Sequence, residues 1–268
     1  MPAISASLVK QLRDKTGLGM MDCKKALEET GGDLDAAEQS LRTKGFATAE
    51  RKAGRATAEG LIGIVVAEDR TAAAMVEIQC ETDFCARNDE FRQMVRDVAQ
   101  MALEAEAGPV ACSDAMDARL KDALGKIGEN MSYARGVRIE AARVGSYLHH
   151  NGKVGVLLGV QGAVTDETLA DLCMHIAFAD PMALQPDDVP PEVVQRETDI
   201  AKQQAIDSGK PPEIAEKMVA GKVRKFLTQN TLLDQPFVKD ESKTVRDVLG
   251  DARAVTFARF GVGQASPA

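Results

Sequence analysis

The chain has 268 residues, room for roughly two domains at about 150 residues each. Its 33 Lys and Arg stand against 41 Asp and Glu, a net charge of −8, which argues against a grip on nucleic acid by massed basic residues. With 44% apolar residues the chain can bury a core. With two Tyr, eight Phe and no Trp, a Phe among polar neighbours needs an explanation.

No apolar run approaches the ~18 residues of a membrane helix. The start, MPAISASLVKQLRDK, lacks the cationic head, apolar middle and cleavage site of a signal peptide. Cys23, Cys80, Cys85, Cys112 and Cys173 are odd in number and scattered, as expected of reduced thiols in a cytoplasmic protein.

Residues 5–43 read as three short helices. Ser5 caps the first, which stripes Leu8, Val9 and Leu12, and Gly17 ends it. The second follows Gly19 with Met20, Met21, Cys23, Ala26 and Leu27, and Gly31-Gly32 breaks it. Asp33 caps a third carrying Leu34, Ala37 and Leu41. Met20 and Met21 are adjacent and cannot both face inward on one helix. Either the bundle packs loosely, or a Met is left outside as an adaptable contact for a partner. From Arg42 to Arg55, five basic residues and one acid read as a solvated linker or a frayed helix, with Phe46 and its basic neighbours a minor candidate for RNA contact.

Near Gly60 the period changes to two. LIGIVVAE, a turn at Glu68-Asp69-Arg70, and AAAMVEIQ predict a hairpin. After ETDF, Asn88 or Asp89 caps a helix with Phe91, Met94, Val95, Val98, Ala99 and Ala102 inward. Another helix is expected over Asp114 to Lys126, and a strand over Asn130 to Ala142. The plan then repeats: GSYLHH, Asn151-Gly152 and KVGVLLGV form a second hairpin, and a helix opens at Asp166-Glu167. From Pro190 to Asp207 a helix places Val193, Val194, Ile200 and Ala201 at heptad spacing. Ser208-Gly209-Lys210-Pro211-Pro212 stops it and starts a second helix with Ile214, Met218, Val219, Val223 and Phe226. Two such helices make an antiparallel hairpin arm. A short helix at Thr244–Leu249 and a strand, AVTFARF, follow. The predicted class is α+β, divided as residues 1–55 (bundle with basic linker), 56–142 (first core part) and 143–268 (second core part, with the helical hairpin inserted at about 190–228).

Catalytic motifs are absent: no GxxxxGK[ST], GxGxxG, HExxH, GxSxG or CxxC. His175 lies on an apolar helix stripe and reads as a core imidazole, and His149-His150 sit at a hairpin end without metal-spaced partners. Cys80 and Cys85 flank ETDF, but no second ligand pair follows, so neither a metal nor a cofactor is expected. Cys80-Glu81-Thr82-Asp83-Phe84-Cys85 stands out between a strand end and a helix cap. Phe84 either folds back as a core plug, with Asp83 a turn residue, or is displayed as an apolar probe beside a carboxylate.

LVKQLRDKTGLGMMDCKKALEETGGD, ETDF ahead of a DEF helix, KIGEN, GSYLHHNGKVGVLLGV, SGKPPEIAEKMV, LLDQPFV and KTVRDVL together resemble the elongation factor Ts family, in order, over about residues 4–260. The resemblance implies a guanine-nucleotide exchange factor for the GTPase elongation factor Tu, acting in translation without chemistry of its own. It implies a three-helix N-terminal domain like the ubiquitin-associated (UBA) fold, a core of two related subdomains and a protruding helical hairpin. Carried over by position, it gives Thr82, Asp83, Phe84 and Cys85 as the turn that dislodges the partner's Mg2+. It gives Lys10, Arg13, Met20 and Met21 as N-terminal contacts, and His149 as a contact from the second subdomain. Many family members continue past the last strand into another helix, so the sequence FGVGQASPA implies that this helix's contribution is absent or replaced. Two other classes remain: an adaptor that binds without altering nucleotide affinity, and an enzyme using Cys80 or Cys85 as nucleophile, which lacks an evident base.

Overall fold

Leu8 donates its amide to Ser5 Oγ at 3.2 Å and so starts α1 (Ala6–Thr16). The computed structural model describes residues 4–52, 54–209 and 211–264, with side chains outside 45–52. Helix α2 (Met20–Glu29) follows, and Asp33 accepts the Asp35 and Ala36 amides at 3.0 and 2.9 Å to open α3 (Leu34–Lys52). Val9, Leu12, Cys23, Ala26, Leu27, Ala37 and Leu41 form the bundle core. Met20 and Met21 are not in it: they are 45% and 73% exposed. Cys23, Ala26 and Leu27, spaced i, i+3, i+4, fill the inward stripe of this ten-residue helix and leave its first turn outside. The basic segment is helical as far as Lys52, the second of its two alternatives. The side chain of Phe46 lies outside the described residues.

The architecture is α+β, and the chain divides into two units by its contacts. Residues 4–65, 74–138 and 261–264 form one, and 66–73 and 139–260 the other. In the first, β1 (Glu59–Val66) and β2 (Ala72–Cys80) lead to a short α4 (Asp83–Arg87), then α5 (Asp89–Leu103), β3 (Gly108–Pro109), α6 (Asp114–Ile127) and β4 (Met131–Glu140). The sheet order is β1-β2-β4-β3, with β3 antiparallel to β4. Asn88 Oδ1 accepts the Glu90 and Phe91 amides at 2.8 and 3.4 Å and caps α5, whose six expected core residues are all buried. They pack on the sheet closely enough that a Cβ at Gly63 would stand 2.7 Å from Val95 Cγ1 and 2.9 Å from Val95 O. Helix α3 packs on α6.

The second unit opens with β5 (Arg143–Leu148) antiparallel to β6 (Val154–Gln161), with Ser146 opposite Leu157 and the Asn151-Gly152 turn between them. Thr165 accepts the Thr168 amide at 3.1 Å and starts α7 (Asp166–Ala179). Leu169 of α7 would meet a Cβ at Gly145 at 2.4 Å, so hydrogen alone fits there too. The sheet closes as β5-β6-β9, once α8 (Pro191–Asp207), α9 (Pro212–Asn230), β7 (Pro236–Phe237), β8 (Asp240–Thr244) and α10 (Val245–Leu249) have intervened before β9 (Arg253–Gly261). Val156, Leu158, Val160, Leu172, Ile176 and Phe237 lie in its core. Helices α8 and α9 pack against each other: Ala201 and Ala205 of α8 are buried, Val193, Val194, Met218, Val219, Val223 and Phe226 are half-buried, and Ile200 and Ile214 are exposed.

Candidate partner-binding site

Strand β2 ends at Cys80, and two residues later Thr82 caps α4 by accepting the Cys85 amide on Oγ1 at 3.2 Å. Successive helical residues point about 100° apart. Cys85 and Ala86 face the core, so Phe84 and Arg87 face away. Phe84 is 77% exposed, and the core-plug alternative is therefore excluded. Asp83 beside it pairs with Arg87 at 3.0 Å, an ion pair of one turn laid along the exposed surface. An apolar ring and a carboxylate are displayed side by side on a turn that is otherwise tied down.

The ties come from the segment after α6. Glu129 accepts the Thr82 amide on Oε2 at 3.1 Å, and Thr82 Oγ1 lies 2.9 and 3.0 Å from its two oxygens. Next to it, the Asn130 amide donates to Glu81 Oε1 at 2.6 Å, and the buried Asn130 side chain donates to the Arg55 carbonyl at 2.8 Å. Arg55 Nη1 lies 3.4 Å from Glu81 Oε2. Glu129, Asn130 and Arg55 received no role from the sequence. The signal was available: Gly128 ends α6, and two polar residues stand between it and strand β4.

Both thiols beneath the turn are buried. Cys80 donates to the Thr82 carbonyl at 3.2 Å, and Cys85 is pushed far up by its hydrogen bond with Cys80, by burial and by the nearby charges of Glu129 and Glu81. Burial pushes Cys173 up to about 12. Among the described residues no group of three or more His, Cys, Asp or Glu is placed to hold a metal ion, and no helix is long and apolar enough to cross a membrane. His175 is a core residue, 3.0 Å from Gln235 Oε1 through Nε2 and 3.2 Å from the Val238 amide through Nδ1.

Lys10 and Arg13 are exposed on α1, and Met20 and Met21 on the first turn of α2. All four residues expected as N-terminal contacts thus lie on the surface of the bundle. Cys85, named from sequence with Thr82, Asp83 and Phe84, is continuous with them in the chain but points into the core. His149 belongs to the second unit, where Nδ1 is 2.9 Å from Tyr147 Oη and its ring centroid 4.2 Å from that of His150.

Comparison with known proteins is consistent along the chain. The family model for elongation factor Ts matches residues 81–264, beginning at the displayed turn. Elongation factor Ts of Hydrogenovibrio crunogenus is 43% identical over 98% of this chain and 92% of its own length. That of Aquifex aeolicus is 41% identical over 97% and 98%, and that of Alkalilimnicola ehrlichii 45% over 98% and 93%. With likeness of this extent, through the bundle, the turn and the helical hairpin alike, the chain belongs to the elongation factor Ts family.

Proposed function

We propose that this chain binds the GTPase elongation factor Tu in the cytoplasm and promotes release of its GDP, allowing GTP to rebind. In this reading it is an exchange factor and performs no chemistry of its own. A factor that binds the nucleotide-free partner more tightly than the nucleotide-bound one must weaken nucleotide binding by the same ratio. Phe84 enters an apolar pocket of the partner and shifts the element beneath it, while Asp83 disturbs the ligand shell of the partner's Mg2+, a main source of nucleotide affinity. Thr82 and Cys85 hold the two presented side chains from below. Lys10, Arg13, Met20 and Met21 of a UBA-like bundle contact the same partner, and His149 contacts it from the second of two related core subdomains. The helical hairpin at about 190–228 is an insertion into that second subdomain.

The observation that carries this reading is the exposure of Phe84, 77%, on a turn held by Glu129 and Asn130. An apolar ring left in water on a fixed turn is unfavourable for the free protein and suits a binding anchor. A ten-thousandfold gain in release rate needs about 5.5 kcal/mol, of which one buried aromatic anchor can supply about 2–4 kcal/mol. Release of fluorescent GDP from elongation factor Tu tests it. Phe84→Ala is expected to lower the maximal release rate at saturating factor by roughly thirtyfold, the equivalent of about 2 kcal/mol. Wild-type release by that variant would sink the probe mechanism. Tight binding by the native chain with no acceleration of release would leave only an adaptor.

A further inference from the structure

We infer that Glu129 is a positioning residue for the exposed Phe84: its carboxylate fixes the start of α4, so that the ring is presented in one orientation. The inference rests on the exchange reading of this turn and adds to it a residue that does not touch the partner.

Helix α4 has five residues, too few to be self-supporting, so its direction is set by what holds its ends. Inside it, the Ala86 amide reaches the Thr82 carbonyl at 3.2 Å, and the Asn88 amide reaches the Cys85 carbonyl at 2.9 Å. Its far end is continuous with the cap of α5, because Asn88 closes α4 and opens α5. Its near end has Thr82 as its tie, and both donors of Thr82 go to Glu129. The backbone N–H donates to Oε2, the hydroxyl proton is within reach of either oxygen, and the hydroxyl oxygen still accepts the Cys85 amide. One carboxylate therefore satisfies both donors of the capping residue, and bonds to an ionised acceptor are the strong kind. The neighbouring Asn130 amide grips Glu81 at 2.6 Å, so residues 81–82 and 129–130 clasp each other in two adjacent places.

Phe84 makes no contribution to the core, and neither does the Glu129 side chain, which is partly exposed. What the clasp controls is the direction in which the ring leaves the surface. Without it the near end of α4 keeps the weak bond from the Cys80 thiol to the Thr82 carbonyl but loses its strong ties, and part of the ordering of the ring must be done on binding, which weakens the step that needs it placed.

The test uses the full chain. Glu129→Ala, Glu129→Gln, Thr82→Val and the Thr82→Ala/Glu129→Ala pair are compared in fluorescent-GDP release from elongation factor Tu, in thermal unfolding, and in amide hydrogen exchange of the free factor. Glu129→Ala is expected to lower the maximal release rate roughly tenfold, in keeping with the loss of charge-assisted hydrogen bonds, while the factor concentration at half-maximum changes little. Thermal unfolding stays near wild type, and the Thr82 and Cys85 amides exchange faster. Glu129→Gln restores most of the rate, because its amide oxygen still accepts from Thr82. The paired variant also loses the Thr82 cap on the Cys85 amide and is slower than Glu129→Ala, but by less than the Glu129→Ala and Thr82→Val effects multiplied, since the two residues share bonds. If Glu129→Ala does not fold, Thr82→Val, which removes only the hydroxyl's bonds, carries the same expectation. Wild-type release by Glu129→Ala alongside slow release by Phe84→Ala overturns the positioning role and leaves the exchange reading standing. A Gln variant as slow as the Ala variant also overturns it. If Phe84→Ala releases GDP normally, the exchange reading of the turn fails instead, and amide exchange alone decides the clasp: unchanged protection at Thr82 in Glu129→Ala refutes it.

Discussion

His175 is buried with both ring nitrogens engaged, and this makes its protonation state a matter of stability. The Val238 amide can only donate, so Nδ1 accepts and Nε2 carries the proton toward Gln235 Oε1. Burial holds the imidazole below its ordinary value, partly offset by Gln235. In the unfolded chain it titrates near 6.5. As pH falls through that value the unfolded state gains a proton that the folded state refuses, so stability is full above it and declines toward the folded pKa. The urea midpoint is expected to drop between about pH 7 and pH 5.5, and to drop less in His175→Gln; equal slopes for the two proteins would exclude this origin. The core role of His175 was legible in CMHIAFA, an apolar stripe with one polar member. The direction of Phe84 was not. Its neighbours are polar, but a ring beside a turn can fold either way, and only the placement of Cys85 and Ala86 against the core decides it.

At the scale of elements, close packing between sheet and helix depends on glycines. Gly63→Ala is expected to cost about 1–3 kcal/mol by overpacking against Val95, read as a lower denaturant midpoint with unchanged slope. The obstruction includes the Val95 carbonyl, which cannot rotate aside as a side chain would. The helices and hairpins were legible because their periods repeat: α5 carries six buried positions at helical spacing, and β5–β6 turns at Asn151-Gly152. The two-residue β3 and the seating of β4 beside β2 were not, because pairing across long stretches of chain leaves no local mark. Single positions within a stripe were less legible. Met21, Ile200 and Ile214 are exposed, while Cys23, Ala26, Leu27, Ala201 and Ala205 are buried and Met218, Val219, Val223 and Phe226 half-buried, because the spacing gives the face of a helix but not how far its neighbours reach over it.

For the molecule as a whole, neither unit is continuous in sequence. The first unit recruits its last residues through a buried charge. Glu77, 1% exposed, pairs with Arg135 Nε at 2.7 Å and also accepts Gln79 Nε2 and the Gly263 amide, each at 2.8 Å. Arg135 Nη2 in turn donates to the Gly261 carbonyl at 3.0 Å. Arg135→Ala leaves this carboxylate buried without its cation and is expected to destabilise by about 3 kcal/mol, the lower end for broken buried pairs because two hydrogen bonds remain. Glu77→Gln, which removes the charge and keeps the shape, should cost less. Chemical denaturation of both variants checks the order, and an equal loss for the two would show that the charge is not what matters.

The bond between Glu77 and the Gly263 amide spans 186 positions. On a ribosome adding about 5–20 residues per second, Glu77 waits roughly 10–40 s for that partner to be made. Until then its carboxylate must stay solvated or be met by Gln79 and Arg135. The first unit, although it holds helices α1 to α3, thus completes its interior only after the 139–260 segment of the second unit has been made, and the order in which the units finish folding need not follow the order of translation.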